Sequence, residues 1–175
     1  AIWVAPYRMA RLTTFLDPYA HAKAGGFQII QSYLAFQNGG LFGVGLGESK
    51  QKLFFLPEAH TDFILPVIGE ELGFIGVICV WAAFFGITYC GYQIATTSEN
   101  HYNKFLALGI TIALSVQGLI NMGVTMGMLP TKGIPLPFVS SGRSSLICSM
   151  LLVGLLLRVA REVHDEQVHQ PQPSP

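Results

Sequence analysis

The chain has 175 residues, 51% of them hydrophobic and only 11% charged, with a mean hydropathy of +0.47. Soluble domains carry about 25% charged residues, so this composition excludes an ordinary soluble enzyme and points to a membrane protein. The formal net charge is zero, which leaves no electrostatic footprint for nucleic acid.

In chain order, residues 1–5 read as the end of a preceding membrane helix, and the whole as the C-terminal part of a longer protein. Residues 6–70 form a long loop region. Within it, Gly26 to Gln37 places Phe27, Ile30 and Leu34 on one helical face, with Ala35 at its edge, the pattern of an amphipathic helix on a membrane surface or against a bundle. The stretch NGGLFGVGLGES follows and reads as a turn-rich connector. It lacks the order of a nucleotide-binding fingerprint, and no strand precedes it.

The loop ends in LPEAHTDFI, where Glu58, His60 and Asp62 alternate at the edge of a long apolar run. Thr61 or Asp62 suits a helix N-cap, with Pro66 then near the first turn. Asp62 has two readings from local physics: a cap, or a base at the membrane–water boundary. Glu70 and Glu71 would then lie inside the helix, and one of them should face protein or water.

No charge occurs between Glu71 and Glu99. Leu72 to Ile94 would cover about 35 Å as a helix, enough for a hydrocarbon core of about 30 Å. The first predicted span is therefore 71–97, followed by a polar link, 98–104, and a second span, 105–130. Gln117 and Asn121 lie four apart on one face of that span, and hydrogen bonding between helices is their favoured reading. Gly123 and Gly127 form a G-x-x-x-G pair suited to close helix packing. A turn at 131–135 leads to a third span, 136–158, interrupted by Arg143, which either snorkels from the helix end or serves a site. Residues 159–175 read as a polar, disordered tail. Cys79, Cys90 and Cys148 all fall in apolar runs and read as unpaired, packed thiols. The predicted fold is all-α, a polytopic membrane helix bundle with three full transmembrane helices and a long loop bearing an amphipathic helix. Basic residues on the two sides leave its orientation open.

The stretches FLPEAHTDFI and VIGEELGFIGV resemble the SEDS family of shape, elongation, division and sporulation proteins. RMARLTTFLDP, GFQIIQS, GGLFGVGLGESKQKL and LPTKGIPLPFVS are similar to further blocks of that family, in family order, and cover most of residues 8–158. The wording GESKQKLFFLPEAHTDF is closer to the division branch than to the elongation branch. The resemblance implies a protein of about ten helices in the bacterial inner (plasma) membrane, multi-pass and at the division septum, with residues 6–70 outside the cell.

The resemblance also implies a peptidoglycan glycosyltransferase that polymerises lipid II. Its partners would be a class B penicillin-binding protein, other divisome membrane proteins and membrane lipid. On this reading Asp62 is the general base, and Glu58 or His60 positions it. Lys132, Lys50 and Lys52 are candidates for the pyrophosphate, with Arg8 and Arg11 behind them. A divalent cation, Mg or Mn, could share that task. Ser140 and Arg143 belong to SSGRSS, where the family usually has S-Y-G-G-S-S. Arg143 thus replaces a glycine and could add a phosphate ligand. Pro66 is a second departure. A lipid II transporter using Gln117, Asn121 and Arg143, or a non-catalytic divisome scaffold, is the alternative function.

Overall fold

The computed structural model describes residues 14–20, 26–49, 62–130 and 133–169, and every regular element among them is helical. Four helices carry the fold: α1 (Phe27–Gly39), α2 (Ile64–Thr97), α3 (His101–Thr125) and α4 (Arg143–His169). α2 packs against each of the other three, and α3 also packs against α4. α2 and α3 are long and apolar enough to cross a membrane. The outward face of α2 carries Phe74, Ile78, Phe85 and Tyr89, an apolar surface suited to lipid or neighbouring helices rather than to water.

Among the described residues three clusters hold the helices together, the smallest being Phe63 and Val67 with Val124. Ala95, Ala107, Ile110 and Leu114 meet Leu156, Val159 and Val163 where α2, α3 and α4 converge. Leu65, Val77, Phe84, Met122 and Leu136 form the second, toward the other end.

α2 has 34 residues, about 51 Å if straight. It is not straight. Gly73 has φ 70 and ψ −163, so two helices meet there across a kink. In an unbroken helix Phe74 would donate to the Glu70 carbonyl and Ile75 to that of Glu71. Here the glycine-rich loop after α1 replaces both bonds. Val44 N–H donates to Glu70 O at 2.9 Å and Gly45 N–H to Glu71 O at 3.1 Å. In turn Phe74 N–H donates to Gly40 O at 2.9 Å and Ile75 N–H to Leu41 O at 3.5 Å. The freed backbone groups are thus satisfied without water, as a membrane setting demands. A Cβ on Gly43 would overlap the Glu71 carbonyl, and one on Gly73 would overlap the backbone of Gly43 and Leu41. The loop read as a turn-rich connector is therefore a backbone splint across the broken helix.

Several expectations change. α1 exists where predicted, and Ala35 of the predicted face is buried, but the rest of the buried face is Ile29, Ser32 and Gly39. Phe27 and Leu34 of the predicted stripe stay exposed. At the end of α1 a Cβ on Gly39 would overlap the Gly69 carbonyl, so the two backbones nearly touch there, and Phe36 packs on Gly69 beside them.

α2 starts at Ile64, before the charge-free span that opens at 71 and close to the Thr61/Asp62 start read from the sequence, and Pro66 does fall in its first turn. The cap residue is Phe63, without a side-chain cap bond, so Asp62 sits one position before the cap. α3 begins at His101, ahead of the predicted 105, because the Asn100 side chain accepts from Tyr102 N–H at 2.9 Å. Gly127 lies past the end of α3 and leaves room for the Tyr33 hydroxyl, while Gly123 faces Leu129; the pair shapes a turn rather than a helix–helix contact.

Residues 136–142, predicted to open the third span, form a turn in which Phe138 has φ 65. α4 starts only at Arg143. Its apolar stretch, 144–157, covers about 21 Å. The helix then continues to His169 through the region expected to be disordered, because Val159 and Val163 are buried against α3 and α2. The three cysteines are free but exposed rather than packed.

Candidate active site

Asp62 stands just before the start of α2, half-buried, and is followed by Phe63, which is anchored in a cluster with Val67 and Val124. α3 lies behind it. Asn121 is 2% exposed, and its Nδ2 donates both to Asp62 O at 2.9 Å and to Ile134 O at 2.7 Å. One turn earlier on α3, Gln117 Nε2 donates to Pro135 O at 3.0 Å. The two amides named from the sequence thus bond to main-chain carbonyls rather than to another helix. They grip the turn 133–137, which directly follows Lys132 in sequence.

The Asp62 carboxylate lies against that turn. A Cβ on Gly133, which has φ 63, would sit 3.1 Å from Asp62 Oδ2. The start of α4 packs nearby, since a Cβ on Gly142 would sit 3.9 Å from Pro135 Cβ and 3.5 Å from Ser145 Cβ. Arg143, the first residue of α4, is exposed. Ser140 is 4% exposed, its N–H donates to Leu136 O at 3.0 Å, and its Oγ has no partner among the described residues. Lys50, Lys52, Glu58, His60, Lys132, Arg8 and Arg11 lie outside the described residues. Among the described residues no three His, Cys, Asp or Glu side chains converge to hold a metal.

The sequence places one of the two glutamates against protein or water but shows no partner for Glu70. Glu70 is 1% exposed; Ser49 Oγ donates to its Oε2 and Asn38 Nδ2 to its Oε1 at 3.5 Å. This carboxylate ties the far end of the glycine loop to α2, beside the splint. The only available signal was a charge inside an otherwise apolar helix. A second feature had no sequence signal: an apolar groove of about 790 Å³ lined by Phe42, Ile68, Leu72, Ile75, Phe84 and Phe138. It runs from the kink of α2 to the 137–139 turn.

At the opposite end of α3, Asn103 Nδ2 donates to Glu162 Oε2 at 2.9 Å and Arg158 Nε to Glu162 Oε1 at 3.1 Å. The Asn103 bond, and then Arg158, hold the Glu162 carboxyl below its ordinary value.

Residues 1–165 match the family model of FtsW/RodA/SpoVE cell cycle proteins. A probable peptidoglycan glycosyltransferase FtsW of Geobacter sp. (strain M18) is 54% identical over 159 residues, 91% of this chain and 43% of the relative. A probable peptidoglycan glycosyltransferase FtsW of Coxiella burnetii (strain RSA 493 / Nine Mile phase I) is 50% identical over 165 residues, 93% of this chain and 44% of the relative. The chain therefore spans less than half the length of these curated relatives. A chain from a solved peptidoglycan synthase complex, which coordinates polymerization and crosslinking, matches 98% of this chain and 46% of its own length, with a TM-score of 0.72 and 30% identity. The chain belongs to the FtsW/RodA/SpoVE family and is, with its two long apolar helices, part of an integral membrane protein.

Proposed function

We propose that this chain, as a member of that family, supplies the catalytic base of a peptidoglycan glycosyltransferase that polymerises lipid II into glycan strands. The observation that carries the reading is the placement of Asp62. It is half-buried at the end of two membrane-length helices, tied through its backbone to α3 and set against the turn 133–137. A sugar hydroxyl arriving from water and a pyrophosphate anchored in lipid would meet at such a boundary.

The chemistry needs one proton acceptor and one anion stabiliser. The acceptor's 4-hydroxyl attacks the anomeric carbon of the donor, inverting it from α to β. Asp62 takes the hydroxyl proton, and polyprenyl pyrophosphate leaves. Lys132, Lys50, Lys52 and Arg8 are the cations proposed for the leaving group, with Arg143 at the start of α4 as an additional one. Glu58 and His60 orient Asp62 or the acceptor. The apolar groove beside the kink suits the polyprenyl chain of the donor.

In this reading the apolar stretch of α4, 144–157, belongs to the third membrane span, and residues 6–70 lie outside a bacterial plasma membrane at the division septum. A class B penicillin-binding protein crosslinks the product. Relatives named glycosyltransferases and the match to a synthase complex support this assignment. Transport is the weaker reading, because the amides of Gln117 and Asn121 are engaged by main-chain carbonyls rather than turned toward a passing head group.

The test uses the full-length protein with its partner synthase in liposomes supplied with lipid II. Asp62→Asn should abolish polymerisation while the complex still forms. Polymerisation at the wild-type rate would defeat the assignment of the base, and loss of the complex would make Asp62 structural.

A further inference from the structure

We propose that Asn121 is a positioning residue for this glycosyl transfer, setting Asp62 in register with the turn 133–137. The inference rests on the reading of Asp62 as the base.

Asp62 precedes the cap of α2, so helical hydrogen bonding does not fix its carbonyl; only the cap residue and those after it join the helical ladder. Asn121 supplies a tie instead. Its nitrogen has two hydrogens and uses one on each side, at 2.9 Å to Asp62 O and 2.7 Å to Ile134 O. Two carbonyls bonded to one nitrogen stay within about 6 Å of each other. A single side chain therefore links the segment bearing the base to the turn that its carboxylate touches.

The platform is rigid. Asn121 lies in a helix of 25 residues, flanked by Met122 and, one turn on, Thr125, both 0% exposed. Asn121 Oδ1 is buried and has no hydrogen-bond partner among the described residues. The residue therefore acts here through its donors. Gln117 provides an internal control, since it grips the same turn through Pro135 O without reaching Asp62.

A base displaced by about 1 Å can cost on the order of 100-fold in rate. Asn121→Ala should lower kcat for lipid II polymerisation by roughly 10- to 100-fold, with KM for lipid II nearly unchanged, since no contact to substrate is removed. Gln117→Leu should lose clearly less. Asn121→Asp keeps the shape but can donate only while its carboxyl is protonated, so its turnover relative to wild type should rise as pH falls.

These variants are made in the full-length protein reconstituted with its partner synthase, with membrane accumulation and complex formation measured alongside. Wild-type kcat in Asn121→Ala, while Asp62→Asn is inactive, would overturn the positioning role and leave the base intact. A kcat loss in Gln117→Leu equal to that of Asn121→Ala would also overturn it, as would a flat Asn121→Asp pH ratio. Failure of both Asn121 variants to accumulate would assign the residue to folding and overturn the proposal. Polymerisation by Asp62→Asn at the wild-type rate would remove the base reading itself.

Discussion

α3 has a buried amide near each end, and the two ends use it differently. Asn121 donates to main-chain carbonyls of two separate segments. Asn103 donates to the carboxylate of Glu162, which also takes a bond from Arg158, and those two partners are 43% and 76% exposed. A bond to a carbonyl fixes the backbone itself. A bond to a flexible, half-exposed side chain lets the partner helix shift while the pair survives. The end that carries Asp62 is therefore built for position, and the opposite end for adhesion.

The largest expected effect lies at the splint across the kink of α2, the helix that Asp62 leads into. Gly43→Ala meets both a positive φ of 80 and the Glu71 carbonyl, so it should cost about 3 kcal/mol or more. Gly40→Ala, with φ 53 and nothing within 4 Å, should cost only about 1 to 2 kcal/mol. Thermal unfolding of the purified full-length protein in detergent would measure both. Equal losses would mean that φ alone matters and that the close approach does not.

Gln117→Leu should come next. It leaves the Pro135 carbonyl without its donor, a loss of about 1–3 kcal/mol if the group stays buried. A neutral result in the same melting experiment would show that water or lipid-exposed donors reach that carbonyl.

The smallest effect belongs to the opposite end. The folded pKa of Glu162 is depressed, first by Asn103 and then by Arg158. Its contribution is therefore full above the ordinary carboxylate range and is lost as pH falls through the folded value. Exposed ion pairs contribute little. Glu162→Gln should leave melting at pH 7 nearly unchanged and reduce its loss on acidification. A large drop at pH 7 would show that this end is as tightly specified as the other.

The sequence made α2 and α3 legible because long charge-free runs have few alternatives. It did not show the kink. A glycine inside an apolar helix is common, and the partner that makes Gly73 a break is a loop some 30 residues upstream. The face of α1 was legible only in part: Ala35 is buried as read, but Phe27 and Leu34 are exposed, and Ile29, Ser32 and Gly39 are buried with it, while Phe36 packs on Gly69 of α2. Asp62 stands out as a base only through a family resemblance, since its local setting alone favours a cap. Gln117 and Asn121 were found in sequence as polar residues in a span. Their partners were not, because a main-chain carbonyl carries no side-chain identity to read.

The splint across α2 also inverts the usual logic of alanine scanning. That method removes atoms and reads a loss of activity as a missing contact. At Gly39, Gly43 and Gly73 alanine adds a carbon where another backbone already lies. A defect there would report crowding. Leu41 and Leu46, both at least 65% exposed, would register as silent in the same scan. A map of important side chains would then show a gap where the chain is most tightly built.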